Sequence, residues 1–484
     1  MTTRHLALAA LLAAGCSVGP SYQRPSAPAV EAFRYADVKE SESIADLPWW
    51  QLFKDPTLEG LIKEALEKNQ DLALAAARVQ ESQAVARGAA GPLWPQVGVQ
   101  GTGSYGKSIS GGTTVGRYGV DLGVNWELDL WGRVRSARDQ AEAISIATEE
   151  DRRGVVLSLV SGVAQAYLEL RALDLQLEVA RSNGKIRKGT LDLFQARAKG
   201  GVASDLEVEQ ARADYAVTSA AEPSTERLIA LKEHELCVLL GRPPGPIDRG
   251  LGLEETPVPP ALPAGVPASL LERRPDLRSA EQVAIASTAG ARVATAERFP
   301  RLSLSGVLGL NALNISSLFN GDALMWSVGG GLFAPIFQGG QLKANQDAAY
   351  ARMEQAAAGW RQSVLVALRE VSDAAVSVKK FTAVRTQNEI EVKSTTNAAR
   401  LAMLRYEGGV SSYLEVLDAQ RRQFDSSNNL VQSRRNELVS VVQLYKSLGG
   451  GWQEKPPEPA AAAPAPSAAP AGGPPPAPAS PKAP

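Results

Sequence analysis

The chain has 484 residues, and its 51 Lys and Arg nearly balance 52 Asp and Glu, leaving a formal net charge of −1. Such a balance carries no electrostatic footprint for nucleic acid, and no partner of that class is expected. With two histidines and two cysteines there is almost no material for a His-centred triad, a His-rich metal site or a disulfide framework. No catalytic residue, metal or cofactor is therefore expected.

The N-terminal run "MTTRHLALAALLAAGC" has a cation at Arg4 and a short apolar stretch from Leu6 to Ala14, too short to span a bilayer. It predicts a secretory signal over 1–15. Ala13, Ala14 and Gly15 before Cys16 resemble the bacterial lipobox, with Ala13 standing where that motif usually has Leu. The resemblance implies that Cys16 is the lipidated first residue of the mature protein, and Ser17 after it implies sorting to the outer membrane. Residues 16–56, with several prolines and no sustained period, predict a tether leading into "PWWQLF".

From there the chain is written twice. "RAKGGVASDLEVEQAR" from Arg197 recurs as "RYEGGVSSYLEVLDAQ" from Arg405, 208 residues on, and the same offset carries Gly132 onto Gly340 and Leu240 onto Leu448. Further upstream the offset is 205, with Asp71 on Asp276 and Pro95 on Pro300. The expected organisation is repeat 1 over 57–241, a linker over 242–262 and repeat 2 over 263–449.

Each repeat contains two kinds of segment. Helical periodicity runs over 57–90, and strand alternation follows at about 93–105 and 117–130. In the second of these strands Tyr118, Val120, Leu122, Val124, Trp126 and Leu128 alternate with Gly119, Asp121, Gly123, Asn125 and Glu127. A period of two held for about 13 residues fits a tilted membrane strand with one face in lipid and one in water. Repeat 2 offers matching strands at about 299–310 and 325–337. No run of about 18 apolar residues follows the signal, so strands rather than helices are expected to cross the membrane.

The next segment, from Gly132 to about Ala196, has no proline, and Val156, Val160, Val163, Tyr167 and Leu170 advance in steps of three and four. Such a helix would reach about 95 Å. Its duplicate runs from Gly340 to about Leu404. Shorter helical patterns at about 57–90 and 205–240 sum to nearly the same length, so stacked end to end they could flank the long one. Pro223 should kink the second of them. Cys237 is read as a small buried apolar residue, and the Pro- and Ala-rich tail over 450–484 as disordered.

One motif points elsewhere. "GTGSYGKS", Gly101 to Ser108, fits the phosphate-binding pattern G-x-x-x-x-G-K-S and would suggest a nucleotide hydrolase. That chemistry needs a helix directly after the loop, and "ISGGTTVGR" offers none; the residues suit a strand-connecting loop equally well.

Several passages in order, "WWQLFKDPTLEGLIKEALEKNQDLALAAARV", "RPDLRSAEQ", "RFPRLSLSG", "FAPIFQGGQLKANQDAA" and "RYEGGVSSYLEVLDAQR", resemble the TolC-type outer-membrane efflux factors, in particular the lipoprotein branch serving resistance-nodulation-division pumps. The resemblance covers most of the chain. It implies an α+β membrane protein in which four strands per chain build a 12-stranded barrel in a homotrimer, above a coiled-coil periplasmic tunnel. It implies a passive small-molecule duct with no cofactor beyond a covalent lipid on Cys16, working with a periplasmic adaptor and an inner-membrane pump. The alternative within the fold is a type I secretion duct for proteins.

The repeated passage then reads as the turn closing each long hairpin. Arg197, Gly200, Gly201 and Val202, with their duplicates Arg405, Gly408, Gly409 and Val410, form tips that the resemblance assigns to adaptor docking. Tyr406, Leu414 and Asp418 match the family's periplasmic gate, with Leu414 as an apolar ring and Asp418 as an acidic ring favouring cations.

Overall fold

A computed structural model describes residues 17–26, 49–107, 114–259 and 270–450. The signal, Cys16, most of the tether and the tail from 451 lie outside the described residues, as does part of the linker.

Repeat 1 contains helices α1 (Pro56–Lys68) and α2 (Gln70–Ala89), strands β1 (Gln96–Lys107) and β2 (Thr114–Leu128), the long helix α3 (Arg133–Lys199) and the returning helix α4 (Asp205–Leu239). Repeat 2 follows with α5 (Leu270–Arg273), α6 (Pro275–Ala296), β3 (Arg301–Ala312), β4 (Leu324–Phe333), α7 (Gln341–Glu407) and α8 (Tyr413–Ser447). The long helices α3 and α7 both have 67 residues, and α4 and α8 both have 35.

The expected single helix over 57–90 is broken. Asn69 leaves the helical region (φ −64°, ψ 131°) and caps α2 by accepting from the Leu72 N–H at 2.9 Å. Its Nδ2 donates to the Leu239 carbonyl, also at 2.9 Å, so the start of α2 is tied to the end of α4. Repeat 2 solves the same joint with a different side chain: Arg274 sits extended between α5 and α6 and donates from Nη1 to the Ser447 carbonyl at 2.9 Å. The short helices thus stack as two-piece columns, α4 with α2 and α8 with α6, and α3 packs alongside α2 and α4 as α7 does alongside α6 and α8. Gly241, at φ 70°, makes the first joint possible, because a Cβ there would come within 2.2 Å of the Lys68 carbonyl oxygen.

α4 runs through Pro223 as one helix, so the proline does not end it. Ser224 and Thr225 give their hydroxyls to the carbonyls of Ala220 and Ala221 at 2.8 Å. One 18-residue window of α3 is apolar enough by composition to cross a bilayer, although it is no unbroken apolar run. That window is 61% buried inside the molecule. Its apolarity belongs to a core in which Val156, Val163, Tyr167 and Leu170 meet Trp49, Leu58 and Tyr445.

The four strands form one antiparallel sheet in the order β1-β2-β3-β4. Each boundary differs from the expected one by a few residues. β1 starts after Pro95 because Gly91–Leu93 form a 3-10 turn. β4 stops at Phe333, short of Pro335, which has no N–H for a ladder. Register decides what the faces are. Val99, Leu122, Leu308 and Trp326 stand side by side across the sheet, as do Val97, Val124, Gly306 and Val328. On the other face Gln100, Asp121, Gly309 and Met325 align, as do Gln96, Asn125, Ser305 and Gly329. One face is therefore apolar throughout these rows, and the other is polar or small apart from Met325 on the edge strand. The residues Gly101–Lys107 of the phosphate-binding pattern lie inside β1, not in a connecting loop, with their backbone paired to β2.

Sheet and helices are joined at a capped corner. Asp129, just past β2, accepts from the backbone N–H groups of Val134 and Arg135 at 3.0 and 2.9 Å, placing a carboxylate at the N-terminus of α3. Arg133 grips Glu127 with two hydrogen bonds of 2.9 and 2.8 Å.

Candidate functional site

At the far end from the sheet, both long helices stop in the same way. Gly201 and Gly409 each adopt φ 73°, a left-handed conformation open to glycine without strain. Val202 N–H reaches back to the Arg197 carbonyl at 3.0 Å, and Val410 N–H to the Arg405 carbonyl at 3.0 Å. The inner bonds, Gly201 to Ala198 and Gly409 to Tyr406, are both 2.9 Å. These paired bonds satisfy carbonyls that a helix end leaves open and reverse the chain within a few residues. Gly200 and Gly408 precede them at ordinary negative φ. Each turn then presents an apolar pair to solvent: Val202 and Leu206 at one tip, Val410 and Leu414 at the other, all at least 66% exposed.

The tips start the returning helices differently. Ser204 and Glu207 form a reciprocal capping box at α4. At α8 the duplicate Glu415 instead accepts from Arg405 Nε at 3.1 Å, and Ser412 makes no side-chain cap. Arg405 is therefore engaged within its own tip, whereas Arg197 reaches across to the other. Its Nη1 donates to the Tyr406 hydroxyl at 3.2 Å while its guanidinium lies over the Tyr406 ring at 5.5 Å.

Tyr406 belongs to an aromatic tie between the repeats. Phe194 of α3 lies 4.3 Å from the Tyr413 ring and 5.7 Å from Tyr406. Above it, buried Arg187 of α3 pairs with Asp214 of α4 at 2.9 Å and donates to Gln420 of α8. Burial pushes the Asp214 carboxyl up, with Arg187 opposing the shift. Burial, helped by Asp214, pushes the Tyr413 hydroxyl up to about 12. Phe194, Arg187, Asp214 and Gln420 were not singled out from sequence, because they come together only when α8 of the second repeat meets α3 and α4 of the first.

Asp418 stands on an exposed face of α8, one turn beyond Leu414. It accepts from Arg422 Nε at 2.8 Å and lies 3.5 Å from Arg421. This changes the expected electrostatics: the carboxylate is not isolated, and two guanidiniums accompany it. The signal was available in the sequence, since Arg421 and Arg422 follow Asp418 at the helical spacings of three and four.

A duplicated chain, a sheet with one apolar face and one polar face, and paired hairpins closed by Gly-Gly-Val are now in place. The sequence profile described as "Outer membrane efflux protein" matches residues 61–242 and 266–450, the two repeats. The chain belongs to that family. It is 35% identical over 458 residues to the solvent efflux pump outer membrane protein SrpC of Pseudomonas putida, covering 92% of this chain and 97% of that protein. It is 31% identical to the cation efflux system protein CusC of Escherichia coli O6:H1, covering 92% and 98%. Among solved structures it is similar to the outer-membrane channel OprN (TM-score 0.83, 33% identity, 91% of this chain and 100% of that one). It also matches the open-state MtrE outer membrane channel of Neisseria gonorrhoeae (TM-score 0.78, 29% identity, 90% and 98%).

As a member of the outer membrane efflux protein family, the chain resides in the bacterial outer membrane and serves in efflux. Its relatives are channels and not enzymes. The phosphate-binding pattern has no place in such a protein, since its Gly101–Lys107 segment is strand backbone.

Proposed function

We propose that three copies of the chain form an outer-membrane duct of a tripartite, resistance-nodulation-division type efflux system, passively conducting small molecules delivered by a periplasmic adaptor and an inner-membrane pump. The observation that carries this reading is the sheet, with a continuous apolar face for lipid, a polar face of small residues for water, and an open edge strand on each side. Four strands cannot close a barrel, whereas copies joined edge to edge can, and about twelve strands enclose a water-filled bore. Relatives named for solvents, antibiotics, pyoverdine and cations support small molecules as the cargo.

The tips made by Arg197–Val202 and Arg405–Val410 present Val202 and Val410 for an adaptor, six near-equivalent knobs in a trimer. Tyr406, Leu414 and Asp418 line the entrance. An acyl anchor on Cys16 is supported by the position of the next residue: a Cβ on Gly132 would lie 3.2 Å from the Ser17 Cα. Ser17 thus sits where strands give way to helices.

Planar-bilayer recording under a salt gradient tests the duct. Wild-type protein, extracted as a heat-labile trimer, should give discrete conductance steps. Asp418→Ala should leave Arg421 and Arg422 uncompensated and shift the reversal potential toward anions. A monomeric protein without conductance would overturn the reading.

A further inference from the structure

Charge on the polar face of the sheet is sparse and mostly neutralised. Near the junction with the helices, Arg133 grips Glu127, and Arg301 lies 3.9 Å from Glu297. The next rows of that face, Asn125 beside Ser305 and Gly123 beside Val307, carry no charge. Then comes Asp121, the middle residue of β2. It makes no ion pair among the described residues. The remaining charge on the face is Arg117, four residues nearer the far end of the strand, with its side chain exposed.

The chain builds a seat for the Asp121 carboxylate. Asn311 of β3, its diagonal neighbour, donates from Nδ2 to Asp121 Oδ1 at 3.1 Å. A Cβ on Gly309, directly opposite Asp121, would fall 2.1 Å from that same oxygen. One on Gly119, directly opposite Asn311, would fall 2.7 Å from the Asn311 Oδ1. Carboxylate and amide therefore lie over bare glycine backbone, which any other residue would deny them. The seat is not a product of the duplication. The residue 208 places after Asp121 is Gly329, and the one 205 places before Asn311 is Gly106. Each chain thus carries one such carboxylate.

We propose that Asp121 is a charge filter inside the membrane bore, drawing cationic solutes through the duct separately from anything at the periplasmic entrance. The proposal rests on the reading of the protein as a ring of copies around a water-filled bore, and it names a residue that decides what the bore favours. An ionisable side chain at mid-height of a membrane strand is costly against lipid and belongs on the water side, where it marks an ion pathway. In the ring, the Asp121 carboxylates share one level, and low-dielectric walls extend their field across the lumen. The entrance is differently charged: Asp418 is accompanied by Arg421 and Arg422, and Glu415 by Arg405. Arg117 opposes Asp121 only in part. Four strand residues separate them by about 13 Å, more than the Debye length of about 10 Å at 0.1 M salt.

Reversal potentials in planar bilayers under a salt gradient read the filter directly. Asp121→Asn keeps the shape and removes the charge. With the dilute side at about 0.01 M, where the Debye length is about 30 Å, it should lower the cation-to-anion permeability ratio about threefold. At about 1 M the difference should vanish, because screening falls to about 3 Å. Arg117→Gln should move the ratio the other way. A purely structural role for Asp121 is separated by putting charge back chemically. Assembled Asp121→Cys protein, treated with a membrane-impermeant thiosulfonate bearing a sulfonate, should regain the wild-type ratio. A reagent bearing a quaternary ammonium should drive the ratio further toward anions. Wild type, in which Cys237 is buried, should respond to neither. An unshifted ratio for conducting Asp121→Asn at low salt, equal shifts from the two reagents, or failure of both to react with Asp121→Cys would overturn the proposal while leaving the duct standing. Wild-type protein without conductance would remove both.

Discussion

α3 and α7 began as the same stretch of chain and now do different things. α3 sits at the centre of its protomer, with Val163, Leu170 and Phe194 fully buried, while α7 keeps Leu365, Val384 and Ile390 about half exposed. Their sequences have parted accordingly. Tyr167 fills a core site and binds Asp55 at 2.8 Å, and its duplicate is Ala375. Duplication thus supplies one backbone and two environments, and it is the side chains that record which environment each copy entered.

The largest expected effect separates the two helices directly. Leu170→Ala should cost about 2–5 kcal/mol, as buried leucines do, whereas Leu365→Ala should stay within about 0.5 kcal/mol in a dissociated chain. Denaturant unfolding of both variants checks this. A large loss at Leu365 in assembled protein alone would show that the exposed flank of α7 acquires a partner.

The tips offer the next test, since there the repeats agree most. Gly201→Ala and Gly409→Ala should each cost about 1–2 kcal/mol, because φ 73° strains any Cβ although nothing lies within 4 Å of it. Hydrogen exchange at the tip amides should report equal losses. Gly201→Pro with Gly409→Pro should go further and weaken adaptor cross-linking while the barrel persists.

Where the tips differ, effects should differ. Glu207→Ala removes a reciprocal cap and should cost about 0.5–2 kcal/mol; Glu415→Ala removes an exposed ion pair and should cost about 0–1 kcal/mol. Proteolysis rates at the two turns would rank them.

The smallest effect concerns Tyr413, whose hydroxyl is buried without a partner. Tyr413→Phe should change stability by under about 1 kcal/mol near neutrality. Its ionisation lies higher folded than the ordinary 10.0, so the stability linked to it is whole below that value and lost as pH rises through about 12. Alkaline unfolding should accordingly set in at higher pH for the phenylalanine variant.

Much of this was legible in sequence. The strands declared themselves by alternation, the long helices by steps of three and four, and both hairpin turns by Gly-Gly-Val said twice. Local rules also explain most misplaced ends, such as Pro95 delaying β1. The break at Asn69 was not legible, because its cause is the distant Leu239 carbonyl. Neither was the cluster of Arg187, Asp214 and Gln420, since pattern within one helix cannot say which side chains of another will arrive. Asp418 is the opposite case: its companions Arg421 and Arg422 stand three and four residues on, a helical pairing legible in the sequence itself.

The joints at Asn69 and Arg274 give each repeat one column cut at mid-height beside one that is whole. A continuous helix resists bending along its length, while two helices butted together transmit compression but yield to shear at the cut. Coupled side by side, such rods form a composite beam with a built-in compliance point. In the proposed duct, where lipid holds the sheet, torque applied at the tips would concentrate its deformation at these joints and spare the strands.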